Sequence, residues 1–272
     1  MYFEFLPLII DLFDNIDVLM LILVRVSAFF IFLPVLSGMS IPLQLRLFFA
    51  FVTSMAIYSS GLVESVTFND TVTGFAMLVL TEIMTGALMG FTLFFIFNVI
   101  LFAGQFIDFS MGFAMVNVMD PVQQIQVPVM GNLLFMAANA VLVVTGGLHL
   151  FLRYFFSSFQ VVPIGTAHIL GNDPLTEFMI TTLVSFVILA VSISLPIVGT
   201  MLIVTCCLGI MVKSVPQMNV FVVGMPLKVM IGLVLVYSVM LPNLSVIYNN
   251  VFDMALNTFV SFMEGVAPDV AP

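Results

Sequence analysis

Long apolar runs alternate with short polar interruptions along the chain. The runs occupy residues 16–36, 43–63, 72–104, 126–156, 177–212 and 222–248, with a weaker one at 251–266. A helix needs roughly 20 apolar residues to cross a bilayer, so about six of these are long enough. The runs 72–104 and 177–212 are too long for one straight crossing. Pro196 stands in the middle of the second; proline removes a backbone donor and crowds the preceding turn, so a kink or break is expected there.

The interruptions set the organisation. Pro34 to Pro42, with Ser37, Gly38 and Ser40 between, reads as a tight turn joining two helices into a hairpin. Residues 64–71 are polar enough to reach water. The stretch 104–132 breaks the apolar pattern with Gly104, Gln105, Asp108, Gly112, Asn117, Asp120, Pro121, Gln123, Gln124, Gln126, Pro128 and Asn132. Residues 157–176 form another connection, and Lys213-Ser214-Val215-Pro216-Gln217-Met218-Asn219 links two long apolar helices. Lys213 and Lys228 flank that last turn, which favours placing it in the cytoplasm.

Composition makes the membrane assignment firm. The 272 residues are 62% hydrophobic and 7% charged, too few charges to solvate the surface of a soluble domain. The fold expected is an all-α integral membrane protein of kinked and hairpin helices. With Lys and Arg totalling 5 and a net charge of -9, no basic patch is available for nucleic acid. Glu4 and Asp11 stand where a cleaved signal peptide would carry basic residues, so none is expected. Cys206 and Cys207 are adjacent, which suits neither a mutual disulfide nor a metal site. His149 and His168 have no nucleophile or general-acid/base set around them, and Gly146-Gly147 is not followed by a phosphate-binding Lys-Ser or Lys-Thr. Enzymatic activity, a cofactor and a metal are therefore not expected.

Polar residues inside apolar runs need partners. Arg25 is flanked by Leu23, Val24, Val26 and Ala28, and a bare Arg at mid-bilayer costs about 3 kcal/mol on insertion scales. Glu82 poses the mirror-image problem, so an Arg25–Glu82 pair is a reasonable hypothesis. Gly86 and Gly90 follow Glu82 at four-residue spacing, a face on which another backbone can approach closely. Between Asp108 and Asp120-Pro121, Met111, Met115 and Met119 recur every fourth residue, with Phe109, Gly112 and Phe113 interspersed. Methionine is unbranched and adaptable. The stripe reads either as ordinary packing or as a deformable plug in a pore.

Together these marks resemble the FliR family of the bacterial flagellar type III export gate, whose virulence counterpart serves the injectisome. The likeness runs over about 20–245. It rests on Arg25, Pro34, Pro42 and Arg46; on Glu82, Gly86 and Gly90; on Gly104, Asp108, Gly112 and Asp120-Pro121; and on Gly147-Leu148-His149, Ser157, Pro163-Ile164-Gly165 and Pro196. The most specific part is Lys213 through Lys228, with Pro216, Gln217, Met218, Asn219 and Pro226 inside it. Lys213 departs from the Arg more usual there, keeping the charge without the planar fork. The acidic tails match nothing in the pattern.

The resemblance implies one subunit of a helically arranged gate in the inner membrane and flagellar basal body, built with FliP-like and FliQ-like subunits and an FlhB-like subunit. Residues 1–176 would be the FliP-like part, with a pore loop at 108–121. Residues 177–250 would be a FliQ-like hairpin, its turn at 213–228 facing the cytoplasm, and 251–272 an acidic tail. Unfolded flagellar proteins would be its cargo. The alternative is a secondary transporter coupling an ion through Glu82, Asp108 or Asp120; it should show two similar halves, and none is evident.

Overall fold

The computed structural model describes residues 15–33, 42–63, 72–113, 128–167, 173–214 and 220–267. Every regular element among them is a helix: α1 Ile16–Phe32, α2 Leu43–Ser59, α3 Val72–Met111, α4 Val129–Val144, α5 Gly147–Val161, α6 Asp173–Ser214, α7 Val220–Leu235 and α8 Leu244–Val266. A π-helical turn, Val236–Met240, follows α7. Pro242 lies just beyond it and cannot donate to the ladder. Instead the Leu241 N–H reaches back to Val236 O at 3.1 Å, and the Asn243 side chain donates to Val239 O at 2.8 Å. The run 222–248 is therefore divided between two helices.

Among the described residues, three helical stretches are long and apolar enough to span a membrane: Val72–Met111, Thr176–Ser214 and Val222–Met240. A fourth is added if α4 and α5 count as one broken span. Fewer qualify than the hydropathy pattern suggests. The 17-residue α1 and α2 extend ~25 Å at ~1.5 Å per residue, short of a ~30 Å hydrocarbon core.

Neither Gly104 nor Pro196 ends a helix. Helix α3 continues for 40 residues through Gly104 to Met111, so the polar stretch begins later than Gly104. That glycine lies where a Cβ would collide with Gly131 Cα; it marks a close backbone approach, not a turn. Helix α6 runs through Pro196 as one element. Only one donor is lost there, and the nearby hydroxyls of Ser192, Ser194 and Thr200 bond locally to the carbonyls of Ile188, Val191 and Pro196. The same local bonding satisfies Ser54, Thr85 and Thr92, which donate to Ala50, Thr81 and Leu88. The connection at 213–228 is also shorter than expected: α6 ends at Ser214 and α7 starts at Val220, so Pro226 and Lys228 are helical.

The chain forms two compact units. One comprises Met1–Phe94, Leu148–Thr181 and Ala255–Pro272; the other comprises Phe95–Gly147 and Thr182–Met254. In the first, α1 packs on α2 and buries Leu21, Ile22, Val26 and Phe29 at helical spacing. Phe29 stacks on Phe155 with centroids 4.0 Å apart and meets Phe259 edge-on at 6.5 Å. Helix α2 buries only Ala50, Ser54 and Ile57, leaving Phe48, Phe49 and Phe51 exposed. In the second unit, Phe186 stacks on Phe95 at 4.2 Å and meets Phe102 edge-on at 5.1 Å. Tyr248 shares a 3.0 Å hydroxyl contact with Thr145.

Phe29→Ala removes the centre of the first aromatic cluster and should cost about 3 kcal/mol or more. Thermal unfolding in detergent checks this against Phe48→Ala, a site 60% exposed; Phe29→Ala is expected to lower the midpoint far more.

Candidate functional site

The only salt bridge among the described residues joins Arg25, near the middle of α1, to Glu82 of α3; both side chains are 0% exposed. The guanidinium meets the carboxylate as a two-pronged fork: Nε donates to Oε2, and Nη2 to Oε1 at 3.0 Å. Such a planar, bidentate match is available to Arg and not to Lys. Two backbone groups just after α5 complete the arrangement. Arg25 Nη1 donates to Val162 O at 2.8 Å, and the Gly165 N–H donates to Glu82 Oε1 at 2.8 Å. The guanidinium carbon also lies 4.6 Å from the centroid of the Phe159 ring, where the face of the π system attracts it.

Gly86 and Gly90 make this approach possible. A Cβ on Gly86 would collide with the Arg25 carbonyl, and one on Gly90 would come within 2.6 Å of Phe29 O. The two glycines share the Glu82 face of α3, so the backbones of α1 and α3 touch along it. Both carboxylate oxygens are occupied. The arrangement holds three chain segments together and offers no free base or nucleophile. Arg46 differs: it is half-buried in α2, and its Nε has no hydrogen-bond partner among the described residues.

The second buried carboxylate, Asp108 on α3, is 6% exposed. It accepts from Met130 N at 3.0 Å (Oδ1) and 3.1 Å (Oδ2), and from Gly131 N at 3.3 Å. These are the second and third helical positions of α4. Helix α4 begins after Pro128 and has no side-chain cap of its own. Asp108 supplies that cap from another helix, placing negative charge where the helix dipole favours it.

The model for bacterial export proteins, family 1, matches residues 16–255. The chain belongs to that family. It is 30% identical to the flagellar biosynthetic protein FliR of Bacillus subtilis, over 92% of this chain and 95% of that protein. It is 29% identical to the Escherichia coli K12 protein of the same name, over 80% and 82%. A Shigella flexneri relative, the surface presentation of antigens protein SpaR, is 24% identical over 83% and 87%. Both buried carboxylates and all their partners lie inside the region matched by the export-protein family.

Of the residues singled out in this export-family chain, Arg25, Glu82, Gly86 and Gly90 come together around the ion pair. Asp108 and Met111 are buried, Phe109 is 76% exposed, and Gly112 and Phe113 are half-buried just past the end of α3. Met115, Met119, Asp120, Pro121, Pro216, Gln217, Met218 and Asn219 lie outside the described residues. Lys213 is exposed and Lys228 half-buried. Val162 O, Phe159 and the N–H groups of Gly165, Met130 and Gly131 were not singled out for these roles. Backbone atoms leave no mark in a sequence, although Pro163-Ile164-Gly165 and Gly131 mark places where backbone is accessible.

Arg25→Ala or Glu82→Ala leaves one buried charge unpaired and should cost about 3–5 kcal/mol, seen as loss of folded protein in the membrane fraction. Combining Arg25→Glu with Glu82→Arg should recover more folded protein than either reversal alone. No gain in the double variant would show that the contact does not hold the fold.

Proposed function

We propose that this chain is a structural and gating subunit of the flagellar type III export gate. With FliP-like and FliQ-like subunits, and an FlhB-like subunit alongside, it forms the channel in the bacterial inner membrane through which unfolded flagellar proteins leave. The carrying observation is the family match over residues 16–255, together with near full-length likeness to flagellar biosynthetic proteins. The flagellar system is favoured over the injectisome because the flagellar relatives named above share more identity with this chain than SpaR does.

Physical features support the reading. Only 28% of the most apolar stretch of Thr176–Ser214, and 17% of that of Val222–Met240, is buried within the chain. Surfaces of that kind suit lipid or the flanks of sister subunits. The segment from Asp108 to Pro121 is proposed to line and close the pore. Its Met and Phe side chains would dewet a narrow passage and deform around a passing polypeptide. The exposed Lys213, at the C-terminal end of α6, suits a cytoplasmic hairpin end. Ion coupling has no comparable support: Glu82 and Asp108 commit both carboxylate oxygens to donors of this chain.

Co-expression with FliP-like and FliQ-like subunits tests the assignment, with a stable co-purifying complex expected. A chain that stays alone, or that carries ion flux by itself, would overturn it. Within the assembled complex, deleting Met115–Met119 should raise ion conductance. Unchanged conductance would remove the gating role while leaving the structural one.

A further inference from the structure

Three contacts in the second unit secure the end of α3. Gly104 lies against the backbone of Gly131. One turn later, Asp108 accepts the Met130 and Gly131 N–H groups. Met111, 0% exposed, covers Gly232 of α7, where a Cβ would meet its Cγ and Cε at 2.5 Å and its Sδ at 2.8 Å. The next residue, Gly112, has φ +89° and nothing within 4 Å of where its Cβ would be. Glycine is required there by the backbone conformation, which an L side chain rarely adopts, and not by lack of space. The close packing at Met111 is thus not repeated at the Cβ position of Gly112.

We infer that Asp108 is a positioning residue. With Gly104 it forms a collar that holds the end of α3 beside the start of α4, and Met111 fixes the same end against Gly232 of α7. The collar depends on a carboxylate specifically. Oδ2 takes the N–H groups of both Met130 and Gly131 and Oδ1 shares that of Met130, whereas an amide could keep an oxygen on the first side only and would turn a donor toward the Met130 N–H. The collar stands on the geometry alone; its consequence for export rests on the gating role proposed above.

The test uses the full chain assembled with its FliP-like and FliQ-like partners. Cys206→Ser and Cys207→Ser remove the native thiols, and spin labels are attached at Phe106→Cys on α3 and Met136→Cys on α4, both exposed sites. Pulsed dipolar spectroscopy should give one narrow distance in the otherwise unaltered chain. Asp108→Ala should replace it with a broad distribution and Asp108→Asn with an intermediate one, whereas Gly112→Ala should leave it narrow. A narrow distribution in Asp108→Ala overturns the collar, and so does a Gly112→Ala distribution as broad as that of Asp108→Ala, since Gly112 lies outside it. Should Asp108→Ala not assemble, Asp108→Asn and Gly104→Ala decide the matter, and narrow distances in both overturn the collar. Ion conductance of the same complexes separates the two ideas. A broadened distance with unchanged conductance supports the collar and counts against the gating role.

Discussion

A full charge pair buried in an apolar protein constrains everything around it. Arg25 and Glu82 are separated by 57 residues, and the Val162 carbonyl lies 137 residues from Arg25. Bringing these groups together requires α1, α3 and the end of α5 to converge within hydrogen-bond distance. Desolvating either ion alone costs several kcal/mol, and the mutual attraction offsets that only when the geometry is good and the remaining donors and acceptors are met. The Val162 carbonyl, the Gly165 N–H and the Phe159 ring meet them. Gly86 and Gly90 permit the necessary approach, so their small size follows from the pair as much as from helix packing.

The two buried carboxylates share one device. Glu82 accepts a backbone N–H from Gly165, and Asp108 accepts backbone N–H groups from Met130 and Gly131. In each case an acid on α3 satisfies backbone that follows or opens another element. Neutral polar groups are handled differently. Ser and Thr hydroxyls along α2, α3 and α6 donate to carbonyls three or four residues back. The two buried acids are met by tertiary contact and these helix hydroxyls by local contact, which suits a medium that offers no water to either.

Much apolar surface remains uncovered on α2, α6 and α7. In water such a surface would be an aggregation hazard. In hydrocarbon it carries no such penalty, and helix association there depends on close packing and polar contacts. Membership of the export-protein family fits a chain that leaves apolar helix flanks uncovered.

Hydropathy and composition by themselves determined that this is a helical membrane protein, because a chain 62% hydrophobic and 7% charged has few other stable environments. They also marked Arg25 and Glu82, since an ion in an apolar run must find a counter-ion, and Gly86 and Gly90, since their four-residue spacing repeats the face of a helix. Tertiary structure alone decided where the helices stop. Gly104 opens the polar stretch 104–132 in the sequence, yet it lies inside α3 with the Gly131 backbone packed against it. Pro196 resembles a break, yet α6 continues through it with one donor missing. Asp108, read as the edge of a loop, caps α4. A glycine or an aspartate has the same letter whether it ends a helix or receives another helix, and only the position of the partner backbone distinguishes the two.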